Sequence, residues 1–108
     1  MEKHPHEGLF KVIIADRARQ MLAEHIHFLA QISPSAARKT KNSLLEAIRS
    51  LQQLPERCPF LQAEFIPPNQ YHKLFVEKWY LILYQIKDET VFVDRIVDCR
   101  QDYQWLVR

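Results

Sequence analysis

The chain has 108 residues, 47% apolar and 26% charged, a size and composition suited to one soluble globular domain. Its net charge of +2 is far short of a strongly basic nucleic-acid-binding domain, so contact with an anionic partner would have to come from local clustering. Gly8 is the single glycine, which excludes the glycine-rich loops of Walker-type and dinucleotide sites, whose backbone N–H groups must approach a phosphate closely.

Met1 to Gly8 lacks the apolar stretch of a signal peptide, and no apolar run approaches the roughly 18 residues that span a bilayer. The expectation is an unstructured leader over 1–8, a single domain over 9–108, a cytoplasmic location and no membrane contact. Leu9–Ile14 is a short apolar, β-branched run that predicts a first strand. Asp16 is placed to cap a following helix, because its carboxylate can accept an orphan backbone N–H. Ala18, Leu22, Ile26 and Leu29 recur at helical spacing, with Met21, Phe28 and Ile32 widening the stripe. His25 and His27 lie two apart on that helix, point in different directions and do not make a metal pair.

Ser33-Pro34 stops the first helix and starts a second, a capping serine followed by proline at the first helical position. The second helix is predicted to run to about Leu54, with Ala37, Leu44, Ile48 and Leu51 buried and Pro55 ending it. Its other face carries Arg38, Lys39, Lys41, Arg49 and, just beyond, Arg57. So short a link implies an antiparallel helix hairpin.

Residues 55–70 hold Pro55, Pro59, Pro67 and Pro68 and read as an irregular loop. The apolar Phe60, Leu61, Phe65 and Ile66 place it against the core. Three strand-like runs follow, Tyr71–Glu77, Trp79–Lys87 and Thr90–Asp98, the second apolar on both faces as a central strand would be. Asp88-Glu89 fits a hairpin link, and Gln101–Val107 fits a last short helix. Cys58 and Cys99 belong to no C-x-x-C pair and read as free thiols. The predicted class is α+β, a two-layer sandwich in the order β-α-α-β-β-β, with the helix hairpin packed on a largely antiparallel sheet.

That order, with two motifs, resembles the RelE/ParE toxin family of type II toxin–antitoxin systems. One motif is Tyr80-Leu81-Ile82-Leu83-Tyr84-Gln85-Ile86, similar to the family's aromatic–aliphatic central strand. The other is Val93-Asp94-Arg95-Ile96-Val97-Asp98-Cys99-Arg100-Gln101-Asp102-Tyr103, similar to its final strand and tail. The resemblance spans roughly residues 9–107. It implies a toxin neutralised by a cognate antitoxin, acting either as a ParE-like poison of DNA gyrase or as a RelE-like nuclease that cuts mRNA on the ribosome. A family member without toxicity, binding only an antitoxin, is a third possibility.

RelE-like cleavage needs neither metal nor other cofactor, and none is expected. The RNA 2′-OH attacks the adjacent phosphate, basic side chains stabilise the transition state, and an acid–base group assists. On that reading Arg100 and Tyr103 are the catalytic candidates. Lys73, Lys78, His72 and Arg95 are candidates for binding a substrate or target. Four of them also have a structural reading: Arg95 as an ion-pair partner of Asp94 or Asp98, Arg100 as one of Asp98 or Asp102, Tyr103 as packing for the tail, and His72 as a surface loop residue. The RelE-like nucleases resembled here carry an arginine in the central strand, where this sequence reads Tyr80-Leu81-Ile82. That departure turns the reading toward ParE.

Overall fold

The computed structural model describes residues 9–64 and 66–99, and the leader over 1–8 and the short helix expected over 101–107 lie outside them. Strand β1 (Lys11–Ile14) leads into helix α1 (Asp16–Ile32) and helix α2 (Pro34–Ser50), then a 3₁₀ turn at Pro55–Arg57 and strands β2 (His72–Val76), β3 (Tyr80–Lys87) and β4 (Thr90–Asp98). The sheet order is β1-β4-β3-β2.

The sheet is mixed, where a largely antiparallel one was expected. β2–β3 and β3–β4 are antiparallel hairpins, but β1 pairs parallel with β4, Lys11 opposite Thr90 through Ile14 opposite Val93. Tight turns force the two hairpins to be antiparallel. β1 reaches its partner only through the whole helix hairpin and two strands, and so long a crossover permits a parallel pairing.

Three local expectations shift. Asp16 is not the cap: Ala15 holds that place with no side-chain hydrogen bond, and its N–H donates to the Val93 carbonyl at 2.9 Å. The chain turns from strand directly into helix, so Asp16 falls in the first turn, where its charge meets the positive end of the helix dipole. α2 stops at Ser50 rather than near Leu54, because Leu54 precedes a proline that disfavours helical backbone and takes a left-handed φ of 48°. Trp79 lies in the β2–β3 turn instead of opening β3. The start of α2 follows the sequence reading, with the Ser33 hydroxyl accepting from the Ala36 N–H at 3.2 Å.

Because side chains alternate along a strand, β3 is buried on both faces. Tyr80, Ile82 and Tyr84 face the helices and meet Ala18, Leu22, Leu44, Ile48 and Leu51. Leu81 and Leu83 face the other way and, with Val97, are roofed by Leu61, Ala63, Ile66 and Tyr71 of the long loop. That loop is pinned at its start. The Tyr84 hydroxyl donates to the Pro55 carbonyl at 2.6 Å, and His72 Nδ1 donates to the Cys58 carbonyl at 2.7 Å.

Candidate functional site

Opposite the loop attachment, α1 crosses the end of the sheet and encloses a cleft of about 410 Å³ with β3 and β4. Its apolar wall includes Met21, Leu22, Phe28 and Ile96; its polar rim includes Glu24, His25, Arg95 and Asp98. The cleft opens there because β1 covers β4 only as far as Val93, so the stretch from Arg95 to Asp98 has α1 for a neighbour instead of a strand. Phe28 stays 53% exposed at the mouth.

His25 shares a 2.9 Å hydrogen bond with the Tyr80 hydroxyl, meets its ring edge-on at 5.2 Å, and lies 3.7 Å from an Asp98 carboxylate oxygen. Sequence reasoning weighed His25 only as half of a metal pair and missed this. The available signal was its position three residues after Leu22, which places a polar residue on the buried stripe of α1. Among the described residues no group of three or more His, Cys, Asp or Glu is arranged to hold a metal ion.

Among the described residues, those named from the sequence do not form one cluster. Lys73 and Arg95 both pair with Leu83, from β2 and β4 respectively, so they flank it on the face away from the helices, two strand spacings or about 10 Å apart. His72 is on the opposite face, 7% exposed, and is a buried strand residue rather than a surface loop histidine. Its ring lies between Phe60 at 4.2 Å and Tyr84 at 5.2 Å, nearly parallel to the latter. Lys78 is exposed in the β2–β3 turn with φ 75°. Arg100 and Tyr103 lie outside the described residues.

Beside Arg95, Asp94 is the extra residue of a β-bulge, since the register jumps from Leu83–Arg95 to Tyr84–Val93. Its carboxylate accepts a 3.0 Å hydrogen bond from the Tyr71 hydroxyl. Burial raises the Tyr71 pKa above its ordinary 10.0, reinforced by that bond. Burial, with the Asp98 charge nearby, likewise raises the Cys99 thiol. Arg57, counted with the basic face of α2 from the sequence, turns back on the helix end instead. It donates to the Gln53 carbonyl at 2.8 Å and to the Ser50 hydroxyl at 2.9 Å, satisfying acceptors that the last turn leaves open.

A family model described as ParE toxin of type II toxin-antitoxin system, parDE, matches residues 12–103. Among solved structures, a chain of the "Chromosomal ParDE TA system from P. aeruginosa" superimposes with a TM-score of 0.68 at 19% identity, over 84% of this chain and 97% of that one. At that identity the likeness is one of fold. No curated protein matches.

Proposed function

The chain belongs to the ParE toxin family of type II toxin–antitoxin systems, and from that premise we propose that it arrests growth by poisoning DNA gyrase until a cognate antitoxin covers it. The observation that carries the gyrase reading is the interior of β3. Where RelE-like nucleases carry an arginine, this chain has Tyr80, Leu81 and Ile82, each no more than 3% exposed. These side chains are built into the two apolar layers. A phosphate could not approach them without opening the core, and a buried cation there would carry a large desolvation cost. The toxin then works by binding, with no chemical step of its own.

The cleft beside α1 suits the antitoxin. An apolar wall with a charged rim accepts one face of an amphipathic helix, bulky side chains entering beside Phe28 and polar ones meeting Glu24 and Arg95. No helix among the described residues is long and apolar enough to cross a membrane.

A second reading, the ribosome-dependent endoribonuclease, draws on Lys73 and Arg95 sharing one face, with Arg100 and Tyr103 following in the tail. A short induced expression without antitoxin separates the two readings. Loss of plasmid supercoiling and DNA breaks, with transcript 5′ ends unchanged, is expected. Transcripts cut at codon boundaries with supercoiling intact would favour the nuclease, and normal growth would reject both.

A further inference from the structure

We propose that the solvent face of α2 is an electrostatic contact surface for the phosphate backbone of duplex DNA. Segment 34–57 holds five cations, Arg38, Lys39, Lys41, Arg49 and Arg57, against two carboxylates, Glu46 and Glu56. This surplus of three exceeds the net +2 of the whole chain, so the positive charge is gathered on this segment and the remainder is slightly acidic. Arg57 is occupied at the helix end. Arg38, Lys39, Lys41 and Arg49 are all exposed, and among the described residues none of the four makes an ion pair or a side-chain hydrogen bond.

Their placement on the helix is regular. At 100° per residue Arg38 and Arg49 fall within about 20° of one another, three turns and roughly 16 Å apart along the axis. Lys39 and Lys41 stand to either side of that line at its N-terminal end. Asn42 lies between the two arginines and adds a neutral hydrogen-bonding group. Glu46 borders the C-terminal end and the Glu77 carboxylate accepts from the Ser43 hydroxyl one turn after Lys39, so the attraction is strongest around Arg38 and Lys41.

What the face lacks selects the anion. Its exposed residues include Ser35, Ala36, Asn42 and Ser50 beside the charged ones, and none is aromatic or large and apolar. Recognition of single-stranded RNA relies on aromatic stacking of unpaired bases, and a membrane-surface helix needs bulky apolar residues to enter the lipid. A rigid cationic row, interrupted only by the part-buried Leu45, is fitted instead to a regular array of phosphates, which duplex DNA presents at one charge per about 1.7 Å of axis. The choice of DNA over other duplexes rests on the gyrase reading, in which the target is an enzyme already bound to DNA. The contact would hold the toxin beside the DNA segment that gyrase cleaves.

The test uses the full-length toxin and the triple variant R38Q/K39Q/K41Q, whose exposed glutamines keep helix propensity. Fluorescence anisotropy is measured with a labelled DNA duplex, a duplex RNA and a single-stranded RNA across a salt series. Gyrase cleavage complexes are scored in parallel, and thermal melts verify that both proteins are folded. The wild type should bind DNA with a dissociation constant of about 1–100 μM and a slope of log K against log salt near −3, as three or four phosphate contacts imply. The triple variant should lose about tenfold or more and need correspondingly more protein to trap gyrase on DNA.

Equal binding by wild type and variant, no binding at low salt, or a preference for either RNA would overturn the proposal. Salt-dependent DNA binding, lost in the variant, without any gyrase poisoning would support this surface and reject the gyrase reading. Gyrase poisoning unaffected by the triple substitution would do the reverse.

Discussion

Tyr84→Phe removes one oxygen atom from a residue that is 0% exposed and tests what holds the long loop to the sheet. The lost hydroxyl donates at 2.6 Å to the carbonyl of Pro55, itself buried. The ring keeps its stacking on His72, at 5.2 Å and 14°, so packing is nearly unchanged. A single missing oxygen leaves too little space for a water to take its place. The Pro55 carbonyl is then buried without its donor, which costs about 1–3 kcal/mol. At a urea dependence of roughly 1–1.5 kcal/mol per M for a domain of this size, the unfolding midpoint should fall by about 1–2 M with its slope preserved. Tyr71→Phe, which breaks a part-buried bond to Asp94, should shift the midpoint by less than half as much, since water can reach that carboxylate. Urea titrations followed by circular dichroism decide the matter. A Tyr84→Phe midpoint within about 0.3 M of wild type, or the reverse ranking, would refute the reasoning.

Lys78→Gly should stabilise the protein. Lys78 sits at φ 75° next to Glu77 at φ 54°. Relief of the left-handed strain, about 1–2 kcal/mol, outweighs glycine's larger entropy loss of about 0.5–1 kcal/mol. Thermal melting checks it, and a lower melting temperature would contradict it. Alkaline pH should destabilise the fold, because burial raises Tyr84 far above 10.0 and lifts Tyr71 above 10.0 and Cys99 above 9.0. All three folded-state values lie above the unfolded ones, so this stability is complete below about pH 9 and drains away as pH rises past each unfolded value. Tyr84 alone would contribute about 1.4 kcal/mol per pH unit above its unfolded value. Urea midpoints measured between about pH 8 and 11 should decline, and a flat profile would show that these groups ionise freely in the fold. Phe28→Asp should leave the melting temperature nearly unchanged, the side chain being 53% exposed, while weakening antitoxin binding at least about tenfold. Unchanged affinity by calorimetry would move the docking site away from the cleft.

Local chemistry made much of this fold legible. Ser33-Pro34 marks the boundary between the helices because capping and proline geometry act over three residues, and the β-branched, apolar composition of Thr90–Asp98 marks the fourth strand without reference to anything distant. The buried set of α2, with Leu51 just beyond it, follows from helical spacing alone. Features made by residues far apart in the chain were not legible. The parallel pairing of β1 with β4 depends on where the helix hairpin returns the chain. The cleft joins His25 to Tyr80, 55 positions away, through a crossing that no periodicity encodes. His72 looked like a surface residue because the partners that bury it, Phe60 and Tyr84, come from other segments. Arg57 looked like part of a basic face, yet its charge serves the carbonyls of the helix before it. The resemblance carried what pattern could not, the family to which the chain belongs.

The most direct test of the central claim uses the purified toxin with purified gyrase, relaxed plasmid and ATP, with a reconstituted translation reaction in parallel. The account predicts that gyrase is trapped on cleaved DNA, that adding the cognate antitoxin releases the block, and that ribosome-bound mRNA stays intact. Normal supercoiling together with codon-spaced mRNA cleavage would contradict it.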